Sequence, residues 1–407
     1  MICDEFGTIW VVNHGTLLNM NYWSHTDRIQ PGDIYVCLPN GEAHIDAAYA
    51  RGASTHVTLS RLEWAVLAKT LMQDPSSQLS VVGITGTNGK TSVASFVTQC
   101  LTALGHKPYQ QGTLSHRLTT PDIMETYQAM ATHSANGGTH FIMEVSSHAI
   151  DQARVHGLDF SVRALTNISR DHLDYHTTMA AYRATKWRFI RDGKGASVVP
   201  ADHQNIPIPV QTQTVMDENY RVTKGILRHL GFSDSAIDPV LKAVQWPEGR
   251  LQTVCESPHR VIVDFAHTPD ALTHAVQAAH RLRLADSASL WVVFGCGGDR
   301  DSGKRAPMGA VAAAHADHIV LTNDNPRSED PSAIAADIQS GIPEAVPVSV
   351  ILDREAAIRY ALEQAPPQSV ILVAGKGHER TQVEGDWVTE SHDPSVIQSI
   401  VSNTQAQ

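Results

Sequence analysis

The stretch GITGTNGKTS, residues 83–92, constrains the fold of this chain more than any other. Leu79, Val81 and Val82 precede it, and a helical run of Val93, Ala94, Phe96 and Val97 follows. That pattern predicts a strand, a glycine-rich turn and a helix. Main-chain N–H groups of such a turn, with a helix N-terminus behind them, form an anion site. Gly86, Thr87, Asn88, Gly89 and Ser92 make up the cradle, Lys90 would reach the outer phosphates, and the Thr91 hydroxyl would take a place on Mg²⁺. The strict spacing of a phosphate loop asks for glycine at position 84, which is isoleucine; Gly83 and Gly86 stand instead. A chance glycine turn is the bland alternative. The strand before the turn and the Lys90–Thr91 pair favour a nucleotide.

A chain of 407 residues holds two or three domains with ample core. Its formal charge of −11 argues against broad binding of nucleic acid or anionic membranes. Five scattered cysteines without a C-x-x-C pair predict neither a disulfide framework nor a thiolate zinc site. The first ten residues, MICDEFGTIW, carry acids where a secretory leader carries Lys or Arg, and no apolar run has the length of a membrane span. A soluble, cytoplasmic protein is expected.

Short apolar strands alternate with helical patterns along most of the chain, which predicts α/β architecture with mostly parallel sheets. RIQPGDIYVCLP reads as a turn feeding a strand and HIDAAYARGAS as a helix closed by Gly52, so residues 1–75 form a small α/β unit ending in the linker MQDPSSQ. Residues 76–248 form a central phosphate-loop unit, with the Pro-broken NIPIPVQTQTV as an edge or connector. WPEGR marks the second boundary, and residues 249–407 form a Rossmann-like unit. Ligands bind at the carboxyl ends of strands in such sheets.

Four strand ends carry unusual residues. Glu144 in MEVSSH follows an apolar run, where a buried carboxylate needs a metal or a cation. TNISRDHLDYH holds Asn167, His172 and His176, and by itself reads as an ordinary polar loop. Lys186 lies in a helical pattern between Tyr182 and Trp187, where a lysine is normally solvated. The segments DFAHTPDA, GCGGDRDSGKR, DNPRSEDP and GKGHE place Asp264, His267, Arg300, Lys304, Arg305, Arg327 and Glu379 at strand ends of one sheet.

In this order, and together with TTPD and YRATKWRF, these segments resemble the Mur ligase family, in a shortened form of its diaminopimelate-adding branch. The resemblance covers most of the chain from about residue 79. It implies three α/β domains, ATP and Mg²⁺ as cofactors, and an amide ligase working through an acyl phosphate. The implied reaction adds meso-diaminopimelate to UDP-N-acetylmuramoyl-L-Ala-D-Glu in peptidoglycan synthesis. By the same resemblance Lys90, Glu144, His172 and Lys186 are catalytic. The metal is held by Thr91, Glu144, His172 and a carbamylated Lys186. Asn219, Arg250, Asp264 and His267 join the phosphate loop in binding ATP. Thr119, Thr120, Ser146, Gln152 and Arg154 contact the acceptor, and Arg300, Asp324, Asn325, Arg327, Gly375 and Glu379 the amino acid. The partners expected are a small carboxylate acceptor and an amino acid, with no nucleic acid or membrane, and a monomer.

The chain departs from the family in places. His25, Thr26 and Asp27 stand where the family has Asp-Ser-Arg at the uridine end, and a β-rich insertion before Asn219 is almost absent. Met216 replaces a familiar asparagine and Phe265 a tyrosine. Two alternatives therefore stay open: a ligase of the same fold acting on another carboxylate in a specialised pathway, and a non-catalytic nucleotide-binding partner subunit.

Overall fold

The computed structural model describes residues 2–3, 9–10, 21–116, 118–199, 215–283 and 288–405. NIPIPVQTQT, residues 205–214, lies outside that set. A two-residue pair, β1 (Ile2–Cys3) and β2 (Ile9–Trp10), precedes a parallel sheet of β3 (Tyr22–Trp23), β4 (Ile34–Cys37) and β5 (Thr55–Thr58). Gly52 has φ +98°, as a residue closing the helix Ile45–Ala50 requires. The next helix, Arg61–Leu71, opens on a reciprocal cap in which Ser60 and Glu63 satisfy each other's main-chain N–H groups. MQDPSSQ is not a loose linker. Pro75–Gln78 is a turn of 3-10 helix, and the buried Ser76 hydroxyl accepts the Asp159 N–H at 3.1 Å.

The second sheet is wholly parallel, in the order β10 (Ala196–Val198), β9 (Phe160–Leu165), β6 (Ser80–Thr85), β8 (His140–Glu144) and β7 (Pro108–Gln111). Its inner strands are apolar and buried along nearly their whole length, as helices on both faces require. The third sheet runs β11 (Gln252–Cys255), β12 (Arg260–Asp264), β16 (Val370–Ala374), β13 (Leu290–Phe294), β14 (His318–Leu321) and β15 (Val348–Val350). Only the edge strand β11 is antiparallel. A hairpin of β17 (Thr381–Glu384) and β18 (Trp387–Glu390) follows. The Rossmann-like unit expected beyond WPEGR forms around the five parallel strands β12, β16, β13, β14 and β15.

The carboxyl ends of the second and third sheets face each other. Asn88 donates to Asp270 at 2.8 Å, Arg250 donates to Thr91 at 3.1 Å, and Arg170 pairs with Asp301 at 3.1 Å. Among the described residues no helix is long and apolar enough to cross a membrane.

Candidate active site

The chain leaves β6 at Thr85 and turns at Gly86, whose φ is +152°. A Cβ there would fall 1.8 Å from Thr166 Oγ1, so the turn admits only glycine. Ile84, where the strict spacing asks for glycine, is fully buried inside the strand. Thr166 Oγ1 donates to the Asn88 carbonyl at 2.6 Å, and Asn167 Oδ1 accepts the Asn88 N–H at 2.9 Å. The expectation of an ordinary polar loop in TNISRDH is thus corrected: it fastens the phosphate loop from the neighbouring strand β9.

Lys90 Nζ donates to the carbonyls of Gly86 and Thr87, both at 2.9 Å. Lys186 Nζ donates to the same Gly86 carbonyl at 2.8 Å. Lys186 is 1% exposed rather than solvated, with its amine 4.7 Å from the centre of the Tyr182 ring. Burial, and then the charge of Lys90, pull its pKa well below the ordinary lysine value. Two lysines converge on one carbonyl, and among the described residues neither forms an ion pair. A polyphosphate fits beside Lys90, whose ammonium has only carbonyl partners.

Glu144, fully buried at the end of β8, accepts three hydrogen bonds: from Thr91 Oγ1 at 2.9 Å, Thr113 N at 3.0 Å and Thr113 Oγ1 at 3.1 Å. His172 holds a left-handed backbone at φ +54°, with Nε2 3.4 Å from Asp171. Burial lowers its pKa to about 3 against the pull of Asp171, with His148, Lys90 and Lys186 adding to the lowering, so the imidazole is neutral and free to ligate. Burial opposes the charge on Asp171, but His267 and His172, helped by Lys304, hold its carboxyl far below the usual range. Among the described residues no three His, Cys, Asp or Glu side chains converge into a metal cluster of their own. Mg²⁺ does not need one, because it takes one or two carboxylates together with substrate phosphates. Thr91, Glu144 and His172 line one cavity and fit that requirement.

That cavity, of about 290 Å³, is walled by both sheets. Asn219 is buried against Gly89, where a Cβ would meet its Oδ1 at 2.5 Å. The Arg250 guanidinium lies 4.3 Å from the centre of the Phe265 ring. Asp264 accepts the N–H groups of Leu251 and Ala266, each at 2.8 Å, and His267 contacts the Phe265 carbonyl at 2.9 Å. Sequence reasoning missed Asp171, Thr113, Trp246, His274 and Arg281, all of which line this space. Asp171 had a visible signal, an acid directly before His172. The others had none.

A second cluster of polar side chains gathers at the carboxyl ends of β14 and β16. Asn325 Nδ2 bridges Asp324 Oδ1 at 3.0 Å and Glu379 Oε2 at 2.9 Å, while Gly375 turns with φ +109° beside Asp324. Arg327 holds a left-handed φ of +52° and donates to the Gly298 carbonyl at 2.7 Å. Burial and then the charge of Arg300 lower its pKa. Among the described residues neither Arg300 nor Arg327 forms a salt bridge, although Asp324, Glu379 and Asp299 partly offset the lowering at Arg327, whereas Arg305, singled out with them in the sequence, pairs with Glu329 and Asp337.

A separate cleft, of about 320 Å³, lies between the first and second sheets and is lined by His25, His44, Arg61, Gln152 and Arg154 among others. Asp27 is exposed and does not line it. Thr119 lines the nucleotide cavity instead. Thr120 is fully buried and engaged: its hydroxyl donates to the Glu144 carbonyl at 2.9 Å and accepts the Ser146 N–H at 3.0 Å. The Ser146 hydroxyl in turn caps the helix Ser147–Asp151.

Such a loop, closed over by a second α/β sheet, defines a nucleotide-dependent enzyme of the phosphate-loop class. Family models narrow this. Residues 84–226 match the Mur ligase middle domain and residues 249–377 the Mur ligase glutamate ligase domain. The UDP-N-acetylmuramoyl-L-alanyl-D-glutamate–2,6-diaminopimelate ligase of Coxiella burnetii is 35% identical, over 90% of this chain and 92% of its own. Its namesake from Geobacillus kaustophilus is 33% identical, over 92% and 93%. A solved structure of a ligase of that name is 26% identical and superposes with a TM-score of 0.57, covering 95% of each chain. The MurF ligase of Thermotoga maritima in complex with ADP, 14% identical, shares the fold with a TM-score of 0.61, over 95% of this chain and 98% of its own. The chain belongs to the Mur ligase family, and is an ATP- and Mg²⁺-dependent, ADP-forming amide ligase.

Proposed function

We propose that the enzyme joins an amino group of meso-diaminopimelate to the terminal carboxylate of UDP-N-acetylmuramoyl-L-Ala-D-Glu. One observation carries the amine side: Arg300 and Arg327 stand close together, neither in a salt bridge among the described residues, beside a Glu379 held by Asn325. A far-end carboxylate and ammonium on one substrate match that pairing, because a guanidinium grips a carboxylate in two-pronged fashion. The names of the relatives support the same choice.

In this reading the acceptor carboxylate oxygen attacks the γ-phosphorus of ATP and ADP leaves, forming an acyl phosphate. The amine nitrogen then attacks the acyl carbon and loses a proton, and inorganic phosphate leaves as the acyl–oxygen bond breaks. Lys90 stabilises the transferring phosphoryl group. Thr91, Glu144 and His172 would hold Mg²⁺, which supplies further positive charge at the phosphates. Lys186 would carry a carbamate that supports the metal; a neutral buried amine is the form that adds CO₂, and burial favours it here. Gln152 and Arg154 would meet the acceptor, and His25, His44 and Arg61 would face its diphosphate. The division at residues 75/76 and 248/249 belongs to this reading, supported by three main sheets that each fall within one span. So do a monomer and a cytoplasmic site of action.

The replacement of Asp-Ser-Arg by His25, Thr26 and Asp27 favours a second reading, a ligase for another carboxylate. ADP release with meso-diaminopimelate or L-lysine, each with UDP-linked and UDP-free acceptors, separates the two. The main reading expects turnover with diaminopimelate and the UDP-linked acceptor, and lysine as a poor substitute. Turnover confined to a UDP-free acceptor would establish the second.

A further inference from the structure

We propose that Thr113 is a positioning residue of the ligase, setting the Glu144 carboxylate for the metal. The inference rests on the family's use of ATP and Mg²⁺, not on the identity of the acceptor or the amine. The loop that leaves β7 approaches Glu144 closely enough that a Cβ on Gly112 would fall 2.1 Å from Oε1. No left-handed backbone requires this glycine; it is there for space. The next residue then reaches both carboxylate oxygens, Thr113 N to Oε1 at 3.0 Å and Thr113 Oγ1 to Oε2 at 3.1 Å. Two donors from one residue fix the plane of the carboxylate, while Thr91 Oγ1 approaches Oε2 at 2.9 Å.

The Thr113 hydroxyl also lies 3.3 Å from the Thr119 hydroxyl. A hydroxyl has one proton to donate, so with that proton on Glu144 the Thr119 hydroxyl must donate to Thr113. The Thr113 main chain also faces the imidazole of His378, which belongs to the GKGHE segment after β16. One side chain therefore adjoins the metal carboxylate and Thr119 on the same cavity wall, and its main chain adjoins the opposite wall.

The test compares Thr113→Val, which keeps the shape and loses the donor, with Thr113→Ser, which keeps the donor. ADP binding is measured by calorimetry with and without Mg²⁺, and turnover is measured alongside. In Thr113→Val the enhancement of ADP binding by Mg²⁺ should fall about tenfold or more, as for other partners of metal ligands. Magnesium-free ADP binding should stay within about twofold, and Thr113→Ser should keep most of the enhancement. An unchanged enhancement in Thr113→Val, an equal loss without Mg²⁺, or a serine variant as impaired as the valine one overturns the proposal. If Thr113→Val does not fold, Thr113→Ala is read by the same measurements. Wild-type enzyme that binds ADP normally yet ignores diaminopimelate would sink the substrate reading and leave the role of Thr113 standing.

Discussion

The nucleotide cavity and the cluster around Arg327 hold their charged groups differently. In the first, Lys90 and Lys186 converge on one carbonyl, that of Gly86, and the Glu144 carboxylate is already set by three protein donors. In the second, Arg300 and Arg327 donate to separate carbonyls, those of Asp299 and Gly298. Preorganised donors suit a site where charge develops during reaction, since they need no rearrangement at that moment. Among the described residues neither pair of cations forms a salt bridge, so each suits an anion that arrives from outside; only the first comes with a carboxylate already fixed beside it.

Lys90→Ala should break the comparison most severely. Losing that charge is expected to lower kcat on the order of 10²-fold or more while the melting temperature holds, as seen in single-turnover ADP formation. Near-normal turnover would refute its place on the phosphates. Lys186→Ala should lower activity roughly 10- to 100-fold, and the intact protein should show one added CO₂ in its native mass and regain activity with bicarbonate after acid treatment. A native mass without that increment counts against carbamylation.

Arg327→Ala should sharpen the contrast by harming only the second cluster. A lost hydrogen bond between charged groups costs about 2 kcal/mol, or roughly 30-fold in the KM for diaminopimelate. The KM for ATP should scarcely move, and a parallel rise in both would mean that the two sites are not separate. Arg170→Ala removes a partly exposed pair with Asp301 and should weaken nucleotide binding less than about fivefold, because such pairs contribute under about 1 kcal/mol. A larger loss, measured by ADP titration, would show that closure of the two sheets depends on this contact.

How much of this could be read from the sequence depended on how local each feature is. The phosphate loop was legible because β6, Gly86 and Lys90 are contiguous, and so were the strands that alternate with helices beyond it. Lys186 looked like a solvated helix lysine because nothing in its neighbours shows that Gly86, a hundred residues earlier, lies above it. Thr113 was invisible for the same reason: its contact with Glu144 spans 31 positions and depends on the width of a glycine. Asp27 looked like an intruder in the acceptor cleft, yet the cleft is lined by His25 while Asp27 is exposed. Order along the chain does not say which side of a short turn faces the substrate.

The two large sheets also differ in when their middles are made. In the second sheet the central strand is β6, the first of its five in the chain; β8 fills the place between it and the edge strand β7, and β9 and β10 extend the other side. In the third, β16 joins β12 to β13 and is the last of its six. Arg354 then clamps that late strand: it donates to the Ala374 carbonyl at 3.0 Å and to Asp393 at 2.8 and 2.7 Å, at the start of the final helix. During synthesis, which runs from the N-terminus, the phosphate loop can settle onto its sheet while the strands flanking β16 still lack a partner. A ribosome that stalls before residue 370 would leave a chain able to form the sheet that carries its phosphate loop but without the strand that joins the two halves of its third sheet.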